Sequence, residues 1–309
     1  MATAIMNVTV GITSYNQRDY LIAAIDSVLA QTYLPAEILI VDDASTDDSP
    51  QVISAYAGRH PDIVRPLLLT RNGGVNAARN HILNAATGDY LAFLDGDDRW
   101  LPGKLARAAA RLDAADRPDA VFDNFVFTDA QGQPQFVWAA RARPPEGPLL
   151  RQVITLDLPR TTLFRSELVP TALWRSAGYY DPSFRIYGDW DMRIRQAQVV
   201  GRYGYVDAVL SEYRRHGAGL SAQSVDSHLA AVDRVEAKYA SLIAHMEADA
   251  GGIHAGLRRW RAKLLRRAAY NTAAGRARGC RRQALAYYRR SLAYAPALDA
   301  RALWQIVKP

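Results

Sequence analysis

The sequence predicts an α/β protein: a mostly parallel sheet with helices on both faces, followed by a helical C-terminal region. Three observations carry this. Over the first 125 residues, short β-branched runs alternate with longer stretches whose apolar residues recur at helical spacing, the pattern of βαβ units. Several of those runs end abruptly in hydroxyl or acidic residues, as strands do where an open sheet meets a ligand. Beyond about residue 225 every segment has helical character.

Taken in order, strands are expected near 7–12, 37–42, 63–69, 89–94 and 120–126. Between them, Tyr20–Ala30, Ser49–Ala57, Val75–Ala86 and Leu105–Leu112 place apolar residues on one helical face, so each covers the sheet. Residues 131–160 are rich in Pro, Gly and Arg with weak periodicity, and read as an irregular excursion or a flexible loop over the site. Periodicity then resumes with helices over Ser166–Ala177 and Asp189–Val199 and strands near 203–207 and 209–213. The domain reading is 1–222 for the α/β part and 223–309 for a basic helical region. Within the latter, Ala284–Pro296 has the small and aromatic spacing of a tetratricopeptide-like helix, but one copy does not make a repeat.

Composition narrows the classes further. The chain has 309 residues, 49% of them hydrophobic, so it can bury a core and is not a disordered tract. Its net charge of +7 is unevenly placed. Residues 251–309 hold 14 Lys and Arg against Asp299 alone, whereas the body before them has 24 basic and 30 acidic side chains. Cys280 is the sole cysteine, which rules out an intrachain disulfide, fits a reducing compartment and reads as an inert, half-buried thiol. The segment 1–8 lacks a basic stretch followed by apolar residues, and no run approaches the ~20 residues that span a bilayer. The expected location is therefore the cytoplasm, in solution or on the inner face of the membrane.

The chemistry concentrates at strand ends. Leu91-Ala92-Phe93-Leu94 runs straight into Asp95-Gly96-Asp97-Asp98, three carboxylates within four positions. They repel one another unless a cation is present, and hard ions such as Mn²⁺ or Mg²⁺ are held by one or two carboxylates plus substrate phosphates. Gly96 leaves the backbone open to a bulky ligand. An acidic turn capping the next helix is the plainer alternative. Ile38-Leu39-Ile40-Val41 similarly ends in Asp42-Asp43, suited to a base N–H or ribose hydroxyls, ahead of Ser45–Asp48, which suit a helix cap. The first strand ends in Thr13-Ser14-Tyr15-Asn16.

Taken together, ThrSerTyrAsn at 13–16, ValAspAspAlaSer at 41–45 and AspGlyAspAsp at 95–98 resemble the family 2 glycosyltransferases, inverting enzymes of the GT-A fold. Gln31-Thr32-Tyr33, Asn72 with Gly74, Ala78-Arg79-Asn80 and Gly88-Asp89-Tyr90 reinforce the resemblance, which covers roughly residues 7–216. It implies a nucleotide-diphosphate-sugar donor, a UDP-sugar first among them, and a divalent metal, Mn²⁺ or Mg²⁺. Thr13, Tyr15 and Asp43 match the base-holding positions, with Asn16 and Asp42 beside them, and Asp95 with Gly96 and Asp97 matches the DxD motif. Asp95 would lie near ribose and metal, Asp97 would ligate the metal, and Asp98 would act from behind them. Arg79 would reach the donor phosphates or pair with a nearby Asp.

Tyr187-Gly188-Asp189-Trp190-Asp191 resembles the Glu-Asp motif that carries the catalytic base, with Gly188 standing where the Glu usually stands. The resemblance assigns the base to Asp189 with Asp191 as alternative, either of which is also suited to cap the helix, and Arg195 matches a donor-site arginine. Tyr213-Arg214-Arg215-His216 resembles the motif that closes the domain, with His216 as a metal ligand beside Asp95 and Asp97.

The implied reaction is transfer to a hydroxyl of a glycan, lipid-linked or other acceptor in surface polysaccharide or glycoconjugate biosynthesis. Competing readings are a glycoside hydrolase or nucleotidyltransferase using the same carboxylates, and a non-catalytic sugar-nucleotide-binding module. Nucleic acid is not an expected partner, because the body is acidic and no aromatic-interleaved RNA motif accompanies the arginines. In the tail, Arg258, Arg259, Arg261, Lys263, Arg266 and Arg267 interleave with Leu257, Trp260, Leu264 and Leu265. This suits either a basic amphipathic helix on an anionic lipid surface or the solvated face of a packing helix.

Overall fold

The computed structural model describes residues 6–217, 223–274 and 280–307. The chain divides into two compact units: Met1–Val153 with Leu158–Gly219, and Ile154–Asp157 with Leu220–Pro309. The Cys280 side chain lies outside what is described.

In the first unit the βαβ alternation is present: β1 (Val8–Ser14), α1 (Arg18–Leu29), β2 (Glu37–Asp42), α2 (Ser49–Arg59), β3 (Val64–Leu68), α3 (Val75–Ala85) and β4 (Tyr90–Asp95). There follow β5 (Arg99–Trp100), α4 (Lys104–Leu112), β6 (Ala120–Thr128), β7 (Pro134–Val137), α5 (Leu150–Thr155), β8 (Val169–Pro170), α6 (Thr171–Ser176), α7 (Gly188–Val199) and β9 (Tyr203–Arg214). One sheet has the order β3-β2-β1-β4-β8, with β1 to β4 parallel and β8 antiparallel to β4. A second sheet has the order β5-β9-β6-β7.

Strand alternation loads both faces of the first sheet. Val8, Val10 and Ile12 of β1 join Leu21, Ile25 and Val28 of α1 and Leu105 of α4 in one core cluster. On the opposite face a Cβ at Gly11 would lie 2.5 Å from Ile82 of α3, so only glycine lets that helix approach.

Four departures from the sequence reading have local causes. The helix expected from Ser166 begins at Thr171, because Pro170 keeps Val169 extended and that dipeptide pairs with β4 as β8. Residues 131–160 are not a flexible loop: β7 pairs with β6, Trp138 is buried with its indole N–H donating to Thr162 O, and α5 follows. The strands near 203–207 and 209–213 are one strand, β9, whose register with β6 shifts around Asp123–Phe125. Two-residue β5 is too short to announce itself by periodicity.

The second unit contains α8 (Val225–Lys238), α9 (Ala240–Ala250), α10 (Ile253–Ala274), α11 (Cys280–Tyr294) and α12 (Ala300–Val307). Ser224 caps α8 by accepting the Ser227 N–H at 3.1 Å. Ala269 and Ala273 of α10 meet Ala284 and Tyr288 of α11 and Ala302 and Ile306 of α12 in a small apolar cluster.

Candidate active site

Parallel pairing in register brings the strand ends to one level. Ser14 sits beside Asp42, and Thr13 beside Asp95. Every residue just beyond β1, β2 and β4 therefore opens on the same edge of the sheet. The β1 and β2 ends are tied together: the Asn16 N–H donates to Ser45 Oγ at 2.9 Å, and Asn16 Oδ1 accepts the Thr46 N–H at 2.8 Å. Asp42 accepts the Ser45 N–H at 2.8 Å and keeps its buried Oδ1 without a partner. The Asp43 carboxylate accepts the Gly73 and Gly74 N–H groups at 2.8 and 2.7 Å, and Asn72 donates to its carbonyl. Asp43 thereby anchors the turn into α3, while Tyr15, just beyond β1, is 47% exposed.

At the end of β4, Asp95 Oδ1 meets Arg79 Nη2 at 2.6 Å and Oδ2 meets Arg165 Nη1 at 3.3 Å. Of the two partners anticipated for Arg79, this is the Asp. At Gly96 a Cβ would lie 2.8 Å from both Thr13 O and Gln17 Oε1, so β1's own backbone requires the glycine. Asp97 Oδ2 contacts His216 Nε2 at 2.8 Å, and Asp98 accepts the Arg214 N–H at 2.8 Å. Arg214 also donates to Asp97 O and Ala130 O, bracing the acidic loop from β9. Burial would raise the Asp95 carboxyl, but Arg79 and Arg165 hold it below its ordinary value. Asp97 is pushed up by burial and by the Asp95 charge against the opposing pull of His216, and Asp98 is pushed well up by burial and by Asp97.

The first turn of α7 supplies the remaining acid. Asn76 and Asn80 of α3 clamp the preceding segment: Asn76 donates to Asp181 O and Phe184 O, and Asn80 exchanges two bonds with the Tyr180 backbone. A Cβ at Gly188 would lie 2.2 Å from Asn76 Nδ2, so Asn76 occupies the space that a side chain at 188 would need. Asp189 Oδ2 lies 3.8 Å from Arg193 Nη1, one helical turn on.

Asp189 shares a cleft with Arg79, Asp95, Asp98 and Tyr180 and with Arg165, Glu167 and Arg193. The cleft offers about 380 Å³ of space between its walls, part of it open to solvent. Asp191 and Arg195 do not join it. Asp191 is 0% exposed and pairs with Arg195 Nη2 at 2.8 Å, and Arg195 also donates to Ala177 O. The two residues expected as alternative base and donor arginine are thus held against each other in this structure, away from the cleft lining. Four of the titratable lining residues escaped the sequence reading. Arg193 was findable as the i+4 partner of Asp189, but Arg165, Glu167 and Tyr180 reach the cleft only through the packing of β8 and the α7 approach.

Residues 9–169 match the family model Glycosyl transferase family 2. The chain belongs to that family. An uncharacterized protein of Mycobacterium tuberculosis (strain ATCC 25618 / H37Rv) is 34% identical over 215 residues, covering 67% of this chain and 58% of that one. The succinoglycan biosynthesis protein ExoO of Rhizobium meliloti (strain 1021) is 35% identical over 202 residues, covering 63% and 53%. The chain thus spans little more than half the length of these relatives. Among solved structures, S. aureus TarS 1–349 in complex with UDP-GlcNAc superposes with a TM-score of 0.65 at 22% identity, over 96% of this chain and 83% of that one. The family 2 fold is therefore GT-A, with C-terminal helices after the sheet.

Enzymes of this fold commonly use a divalent metal. Among the described residues no group of three or more His, Cys, Asp or Glu side chains is arranged to hold one. Asp97 and His216 do place two ligand atoms together, which fits a cation that takes its other oxygens from a diphosphate. Asp95, the other expected ligand, faces the guanidinium groups of Arg79 and Arg165.

Proposed function

We propose that the chain is an inverting glycosyltransferase moving a sugar from a UDP-sugar to a hydroxyl of a glycan or lipid-linked acceptor, in surface polysaccharide or glycoconjugate biosynthesis. The observation that carries this reading is one cleft lined by the Asp189 carboxylate and by the Arg79 and Arg165 guanidiniums around Asp95. A carboxylate and a cationic phosphate end are the two parts that a displacement at an anomeric carbon needs. The family membership and the UDP-GlcNAc bound by TarS favour a uridine donor.

In this reading the acceptor oxygen forms its bond to the anomeric carbon as the bond to the diphosphate oxygen breaks. Asp189 takes the acceptor proton, and Arg79 and Arg165 meet the charge that grows on the leaving diphosphate. A metal held by Asp97 and His216 would add charge stabilisation there. Thr13 and Tyr15 at the end of β1 and Asp43 at the end of β2 would line the base end. The exposed arginines of the second unit, Arg258 and Arg259 among them, would meet an anionic membrane by charge alone.

Slow hydrolysis of a panel of UDP-, dTDP- and GDP-sugars, with and without Mn²⁺, tests the donor without requiring an acceptor. Asp189→Asn should lower transfer ~10²- to 10⁴-fold, with UDP affinity by calorimetry within about twofold of wild type. Near wild-type turnover in that variant removes Asp189 as the base. Absence of UDP binding to the wild-type protein, with or without Mn²⁺, removes the uridine donor.

A further inference from the structure

The cleft contains an acid for which the proposed displacement has no use. Glu167 precedes β8 and is 2% exposed, yet it lines the same cleft as Asp95 and Asp189. Its Oε2 accepts from Arg193 Nη2 at 2.7 Å, while Oε1 has no hydrogen-bond partner. Arg193 is itself buried, lies over the Phe164 ring at 5.4 Å and approaches Asp189, so the pair is held rigidly. The backbone at Ser166, with φ 51°, turns through the left-handed region immediately before Glu167. A carboxylate oxygen withdrawn from water and left unpaired is unfavourable until something in the cleft donates to it.

An ionised carboxylate only accepts, so its complement is a hydroxyl or N–H donor. The leaving diphosphate belongs at Asp95 with Arg79 and Arg165, and the acceptor proton belongs at Asp189. The group that must fill the cleft along with both is the transferred sugar ring. We propose that Glu167, fixed by Arg193, accepts a hydrogen bond from one hydroxyl of the transferred sugar and so selects donors that carry a free hydroxyl at that ring position. This rests on the nucleotide-sugar reading above. A site built to bind a hydroxyl rejects the analogue that lacks it, because its own buried group is left unpaired.

The test is calorimetry of wild type, Glu167→Gln and Glu167→Asp with UDP, a panel of UDP-sugars and the monodeoxy forms of the best-bound one. The expected result is UDP affinity within about twofold in all three proteins and a UDP-sugar affinity at least tenfold weaker in the variants. One monodeoxy donor should bind wild type at least tenfold less tightly than its parent, and that penalty should vanish in Glu167→Gln. UDP and UDP-sugar weakening together would mean a structural role and overturn the proposal. So would a wild-type protein indifferent to removal of every sugar hydroxyl, an outcome that needs no folded variant. If wild type binds no UDP, the donor reading itself fails and takes this proposal with it, whereas UDP binding without the deoxy penalty removes this proposal alone.

Discussion

Gly188 and Asn76 show how a single missing side chain shapes this site. Asn76 is 4% exposed and held by two carbonyls, in the volume that a Cβ at 188 would enter. Gly188→Ala should cost about 1–3 kcal/mol, the usual range for overpacking a rigid site. Pairing it with Asn76→Ala should recover part of that loss, so thermal unfolding of the four proteins of the cycle should be clearly non-additive. Additive effects would mean that the two residues do not share this space. At the acidic loop, Asp97→Asn should weaken UDP binding in Mn²⁺ far more than UDP binding in chelator. Equal weakening in both would remove Asp97 as a metal ligand. At this scale the carboxylates were legible because acids at strand ends are conspicuous. Which pair enters the cleft was not: Arg193 and Arg195 both follow an Asp by four residues, and only the tertiary packing puts the first pair on the cleft and encloses Asp191.

Among the elements, β1, β2 and β4 matter most, since their shared register sets the level at which the site opens. Glu37 pins the opposite end of β2. It accepts from Thr9 Oγ1, from the Thr87 N–H and hydroxyl, and from Arg65. Burial works to raise this carboxyl, but the donors outweigh it and hold it below its ordinary value. A carboxyl lowered in the folded state adds stability that is present above its unfolded value of 4.5 and lost as pH falls through the folded value. Glu37→Gln should therefore lower stability at pH 7 by about 2 kcal/mol, and the gap to wild type should narrow as pH falls below 4.5. A gap independent of pH would show that packing, not charge, is lost. Most of these elements could be read from periodicity because they are long enough to repeat. β5 and β8, two residues each, exist only because a neighbouring strand offers them an edge.

For the whole molecule, the uneven charge of the chain takes a more limited meaning than the amphipathic pattern suggested. Leu257, Leu264 and Leu265 of α10 are buried, and Arg261 pairs with Asp233 and Glu236 of α8. The leucines of that face are thus spent on packing. Any hold on anionic vesicles should be electrostatic, falling steeply between about 0.05 and 0.5 M salt. Arg258→Glu with Arg259→Glu should lower the pelleted fraction while leaving UDP affinity unchanged, and unchanged pelleting removes the membrane contact. The sequence by itself determined the α/β class, the helical C-terminal region, the family and the acids at the strand ends, because these are local patterns of period and terminus. Only the tertiary structure decided that Glu167, Arg165 and Arg193 share a cleft with Asp95 and Asp189 while Asp191 and Arg195 do not. Side chains distant in sequence meet through strand pairing and helix packing, and no spacing within one segment encodes that meeting.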